Sequence, residues 1–282
     1  MNETIQADRL LEKLKADSAQ YKALAIGGYS LEEKKRAIRS LMNIRMPGEL
    51  PEGLLEAQDE YLQEELQTKG SVALSDIPTI REAYHSAAFY ADQISIWQGD
   101  ITRLEVGAIV NAANSQMLGC FVPCHRCIDN AIHSAAGLQL REECSRIMSD
   151  RRMRYGRSYE EPTGTATITS AYNLPCDYVI HTVGPIVYDS LNEQLCQALH
   201  NCYENVLQCC LEHQIRSVAF CCISTGEFHF PNDRAAQIAW ETVTAFLEKH
   251  GDCMERIIFN VFKDSDLGIY EKICCIPDEK CL

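Results

Sequence analysis

From about residue 94 onward the chain alternates short, unbroken apolar runs with longer amphipathic stretches, and no other feature constrains the fold as tightly. Residues 94–97, 107–110, 165–169, 178–180, 217–223 and 256–261 read as strands. Residues 128–147, 192–213 and 233–250 read as helices between them. Strands without polar alternation belong in a sheet covered on both faces. Their alternation with helices predicts an α/β sandwich. Ligands of such sheets gather at the strand C-terminal ends, where loops meet helix N-termini.

The first 75 residues follow a different, helical period. Ser30-Leu31-Glu32-Glu33 is a capping box, with Leu31, Ile38, Leu41 and Met42 behind it at helical spacing. Pro47, Gly48 and Pro51 break the chain. Leu54, Leu55, Tyr61, Leu62 and Leu66 form a second periodic run, stopped by Gly70. The expected division is a helical N-terminal extension over 1–75 and an α/β domain over 76–282. The extension holds no catalytic cluster and reads as packing.

Charge and cysteine content narrow the function classes. Across 282 residues, 26 basic residues face 40 acidic ones, a net charge of -14. Such a surface repels a phosphate backbone, so nucleic acid is not an expected partner. The first 25 residues have no apolar leader segment, and no apolar run is long enough to cross a bilayer. Fifteen cysteines are an odd number. Reduced thiols in the cytoplasm are the expectation. The pairs Cys209-Cys210, Cys221-Cys222 and Cys274-Cys275 read as small buried apolar residues.

The densest chemical constellation runs from Gly119 to Asn130. Cys120, His125 and Cys127 form a C-x4-H-x-C pattern suited to zinc, which takes thiolate and imidazole ligands. Three protein ligands leave a position open for chemistry, whereas a fourth, with Cys124 nearest in sequence, would close the site. Pro123-Cys124-His125-Arg126-Cys127 also matches half of the zinc deaminase signature. The required H-x-E is missing, because His85 is followed by Ser86-Ala87.

Three further motifs sit at strand ends. Ser224-Thr225-Gly226-Glu227-Phe228 is a small-residue turn whose backbone N–H groups could close around a phosphate. It has no Walker lysine, and Cys222 replaces the first glycine of a nucleophile elbow. Asp100, in Gly99-Asp100-Ile101-Thr102, is either a turn cap or an acceptor for an exocyclic amine. Asn111 and Asn114 could hydrogen-bond ribose hydroxyls or close a turn.

Taken together, the segments around Asp100, Asn114, Gly164, His181 and Ser224 resemble the signature of a macrodomain over residues 75–282. The Cys120, His125, Cys127 segment resembles the zinc-dependent branch of microbial macrodomains. The resemblance implies a three-layer α/β/α fold with a mixed central sheet. It also implies an ADP-ribose pocket in which Asp100 and Ile101 meet the adenine and Asn114 holds the ribose nearest the scissile bond. Ser224, Thr225, Gly226, Glu227 and Phe228 would wrap the diphosphate. Asp129 falls on the family's catalytic-loop aspartate, its competing role being a helix N-cap. His133 and His181 read as core histidines.

The implied activity is zinc-dependent removal of mono-ADP-ribose from protein side chains, with a carboxylate as the expected attachment point. The implied context is a reversible cycle with a sirtuin-like ADP-ribosyltransferase and a lipoyl-carrier protein. Two other functions fit the same pocket: a reader that binds ADP-ribose around a structural zinc, and a deacetylase of O-acetyl-ADP-ribose.

Overall fold

The computed structural model describes residues 2–275. In chain order it contains α1 (Asn2–Asp17), α2 (Leu31–Ile44), α3 (Leu54–Lys69), β1 (Val72–Ala73), α4 (Ile80–Tyr84) and β2 (Ile94–Gln98). Next come β3 (Leu104–Glu105), β4 (Ala108–Ala113), α5 (Ile128–Ala136), α6 (Leu138–Tyr155), β5 (Ala166–Ser170) and β6 (Tyr178–Val183). The described residues finish with α7 (Glu193–Glu212), β7 (Ser217–Phe220), α8 (Asn232–His250), β8 (Arg256–Val261) and α9 (Asp264–Cys274). These elements form two compact units. A helical unit gathers the chain up to Ser71 with Gln116–Glu160 and Ala171–Leu174, and a sheet unit takes the rest.

In the helical unit, the Ser30 capping box is formed as expected. The Ser30 hydroxyl accepts from the Glu33 N–H, and the Glu33 carboxylate accepts from the Ser30 N–H. Behind this cap, Leu10, Leu11, Leu14, Ile38, Leu41, Leu54, Tyr61 and Leu62 bury one another, with Leu138 joining from α6.

The helix expected over 128–147 is two helices. Gly137 breaks it with φ +97, and a Cβ there would lie 2.5 Å from Gln58 Nε2. Gln58 Oε1 accepts from the Leu138 N–H at 2.8 Å, so a side chain from α3 begins α6. The apolar spacing runs through the break and does not reveal it.

Arg141, on α6, is buried and serves as the cationic cap of α2. Its Nη1 donates to the carbonyls of Met42, Asn43 and Arg45 at 2.9, 2.9 and 2.7 Å. A positive charge there answers the negative end of the helix dipole. Its Nε donates to Leu118 O at 2.7 Å, and its guanidinium stands 4.4 Å from the centre of the Phe121 ring.

The sheet unit holds a six-stranded sheet in the order β2-β8-β7-β4-β6-β5. Five strands run parallel, and β5 pairs antiparallel with β6, so the sheet is mixed as expected. All four residues of β7 are buried, as are Ile257–Val261 of β8, which explains their unbroken apolar sequence. The strand expected over 217–223 ends at Phe220, because the chain turns there toward Ser224. Tyr203 of α7 packs on Phe220 with ring centres 4.9 Å apart. Two minor elements had no sequence signal, the parallel two-residue pair β1 and β3.

His181 is a neutral core histidine, as its apolar context predicts. It is 1% exposed. Asn111 Nδ2 donates to its Nδ1 at 3.1 Å, which leaves Nε2–H to donate to Thr169 Oγ1 at 3.0 Å. Thr169 Oγ1 in turn donates to Val179 O. Burial pushes the imidazole down to about 3. The unfolded chain therefore binds a proton that the folded chain refuses between roughly pH 6.5 and that value. This contribution to stability is complete above pH 6.5 and declines on acidification, by up to about 1.4 kcal/mol per pH unit. Urea unfolding at pH 7 and pH 4.5 should show a steeper acid loss in wild type than in His181→Gln.

Candidate active site

The loop from Gly119 to Cys127 enters on a left-handed glycine. Gly119 has φ +78, and a Cβ there would come 2.8 Å from the His133 ring, so both backbone and space exclude a larger residue. The loop then brings its three soft donors together. The ligand atoms of Cys120, His125 and Cys127 all lie within 4.8 Å of one another, with Cys120 Sγ 3.7 Å from His125 Nδ1.

Cys124 turns elsewhere. Its backbone is left-handed at φ +54, and its sulfur lies 3.2 Å from Ser40 Oγ and 3.4 Å from Arg36 O on α2.

The donor set fits a zinc ion. Burial pushes the Cys127 thiol up to about 12, and the neighbouring Cys120 adds to the shift. Burial beside a second sulfur disfavours the Cys127 thiolate, and a divalent cation among the donors would reverse that balance. Cys127 also begins α5, its sulfur accepting from the Asn130 N–H at 3.4 Å. The remaining thiols differ. Cys176 and Cys221 are buried and pushed up to about 12 chiefly by that burial. No disulfide links the described cysteines. Of the pairs expected to be buried, Cys209, Cys210, Cys221 and Cys274 are, whereas Cys222 is half-buried and Cys275 exposed.

Asp129 is not the N-cap of α5, because Cys127 holds that position. The Asp129 carboxylate is buried one turn below His133, with Oδ1 3.5 Å from His133 Nε2. It lies in the helical unit with the three donors.

The nucleotide candidates lie on the sheet unit, each just past the C-terminal end of a parallel strand. Asp100 follows β2 and is in part a cap: its Oδ1 accepts from the N–H and hydroxyl of Thr102 at 3.1 and 2.7 Å. The turn is fixed by Asn260 of β8, which donates to Gly99 O at 3.1 Å and Trp97 O at 3.3 Å. Asn260 carried no sequence signal, because it reads as one polar residue inside a strand. Ile101 is buried, so a ligand would meet its backbone. Asn114 follows β4 and is half-buried. Asn111 is fully buried and committed to His181, which removes it from the ribose-binding candidates.

After β7 the chain forms a tight turn. Ser224 is buried with φ +65, and its carbonyl accepts from the Phe230 N–H at 2.9 Å. Thr225 donates from its hydroxyl to Cys222 O at 3.0 Å. Gly226 and Glu227 are exposed at the tip, and Phe228 O accepts from the Val187 N–H at 2.9 Å. Gly184, beyond β6, lets this turn approach: a Cβ on it would stand 2.1 Å from Ser224 Oγ.

Comparison with known proteins matches residues 110–239 to the Macro domain family. A protein-ADP-ribose hydrolase from Treponema medium is 44% identical over 264 residues, which cover 94% of this chain and 96% of that one. A protein-ADP-ribose hydrolase from Staphylococcus aureus (strain MSSA476) is 40% identical over 247 residues, covering 86% of this chain and 85% of the relative. Among solved structures, a Trypanosoma brucei macrodomain in complex with ADP-ribose aligns with a TM-score of 0.62 at 27% identity. That alignment covers 83% of this chain and 94% of the other. The mixed sheet, the motifs at its strand ends and this extent of identity place the chain in the macrodomain family.

Proposed function

We propose that the protein is a zinc-dependent hydrolase that removes mono-ADP-ribose from protein side chains. Hydrolysis of ADP-ribosyl protein is supported by the near full-length likeness to protein-ADP-ribose hydrolases. The metal dependence rests on one observation: three soft donors converge while the sulfur of Cys124 is engaged with α2. Three ligands leave a position for water or a ribose oxygen, which disfavours a reader with a closed structural site. When bound, zinc supplies a Lewis acid that polarises water or a sugar oxygen.

The remaining work falls to the chain. The Ser224–Phe228 turn holds the diphosphate through backbone N–H groups. The Asp100 oxygen not used in the cap receives the adenine amine, and the backbone at Ile101 adjoins it. The Asn114 amide orients the terminal ribose. Asp129, steadied by His133, acts as base or aligns the attacking water. Water adds at C1 of that ribose, and the protein carboxylate leaves as an anion. A sirtuin-like ADP-ribosyltransferase acting on a lipoyl-carrier protein in the cytoplasm would supply such a substrate. No helix among the described residues is long and apolar enough to cross a membrane.

Assays on aspartate-, glutamate- and arginine-linked mono-ADP-ribosyl protein, run alongside metal analysis, test this reading. Cys127→Ala should lose its zinc and slow hydrolysis by about 100-fold or more. Asp129→Asn should keep zinc and fall by about 100-fold in kcat. Wild-type turnover in a folded, zinc-free Cys127→Ala protein would remove the metal from the reaction.

Gly184→Ala separates nucleotide binding from metal binding. Its methyl group would press on Ser224. ADP-ribose affinity measured by calorimetry should fall about tenfold, a loss of about 1.4 kcal/mol, with zinc content unchanged.

A further inference from the structure

We propose that Arg39 of α2 and Asn130 of α5 are positioning residues that hold Cys120, His125 and Cys127 in register for a metal ion, an inference that rests on the zinc reading above. The two side chains form one unit. Arg39 donates from Nε and Nη2 to Asn130 Oδ1 at 3.0 and 2.7 Å. From this pair a contact reaches each of the three ligand residues. Arg39 Nη2 donates to His125 O at 3.2 Å. Asn130 Nδ2 donates to Cys120 O at 3.4 Å and to Val122 O at 3.0 Å. The Asn130 N–H donates to Cys127 Sγ.

Asn130 is fully buried, so its amide is fixed by these bonds and not by solvent. Its Oδ1 must be the acceptor and its Nδ2 the donor, because a guanidinium has no lone pair to offer.

The face of α2 that carries Arg39 continues the support. Arg36, Arg39, Ser40 and Asn43 recur at helical spacing and share one stripe. Asn43 Oδ1 accepts from the Cys124 N–H at 2.9 Å, pinning the left-handed corner between Cys120 and His125. Asn43 Nδ2 donates to Ser134 Oγ, which donates to Asn130 O at 2.6 Å and closes the network. A residue in the left-handed region costs of order 1 kcal/mol and persists only when its surroundings hold it. Helix α2 thus forms one wall of the metal loop. A ligand set with fixed backbone carbonyls loses less freedom on binding an ion, and such outer contacts are typically worth 10–100-fold in metal affinity.

The test is zinc affinity of the full chain by competition with a chromophoric chelator, together with the visible spectrum after cobalt replacement. Arg39→Ala and Asn130→Ala should each bind zinc about 10–100-fold more weakly and shift the cobalt spectrum. Arg39→Lys keeps the charge but cannot reach Asn130 and His125 together, so it should fall between wild type and Arg39→Ala. Melting of the metal-free proteins identifies a variant that fails to fold. In that event Arg39→Lys decides the matter. Wild type that binds no zinc would overturn the metal reading and this inference with it. Wild type that binds zinc, beside variants of equal affinity and identical cobalt spectrum, would overturn the inference alone.

Discussion

A loop without regular secondary structure has to satisfy its backbone polar groups from elsewhere, and the Gly119–Cys127 loop does so with side chains. Asn130 takes two of its carbonyls, Arg39 a third, and Asn43 one N–H. Arg141 anchors the entry at Leu118 and the end of α2 with the same guanidinium. The convergence of two sulfurs and an imidazole depends on this polar scaffold. An apolar cluster could bury such a loop but could not specify where each carbonyl points.

The sheet unit solves a different problem. Its central strands β7 and β8 are almost wholly buried, and the nucleotide candidates sit in the turns that follow the strands. Each turn is held by a contact from a neighbouring strand or turn. Asn260 fixes the Gly99 turn, and Gly184 leaves room for Ser224. The left-handed backbone at Ser224 is tolerated for the same reason as that at Cys124: several hydrogen bonds hold the segment around it.

Much of this was legible in the sequence. The strands could be read because burial on both faces leaves an unbroken apolar signature, and the three donor residues because their types are rare and closely spaced. The break at Gly137 could not, since apolar periodicity continues across it and its cause is Gln58 on α3. The Cys127 cap was hidden behind the more usual capping residue Asp129. Arg39 and Asn130 are 91 positions apart, and an arginine on an amphipathic helix looks like surface until its partner is seen. Asn111 shows the opposite failure. Its place beside Asn114 suggested a ligand contact, whereas the fold uses it to set the tautomer of His181.

The helical unit is stitched from three stretches of chain, the last ending at Leu174. A minimal fragment cut to the boundaries of the Macro domain match, residues 110–239, would keep every donor residue yet leave behind the helix on which their loop leans. Gene fusions or trimmed versions of this chain should therefore keep α2, on which the donor loop rests.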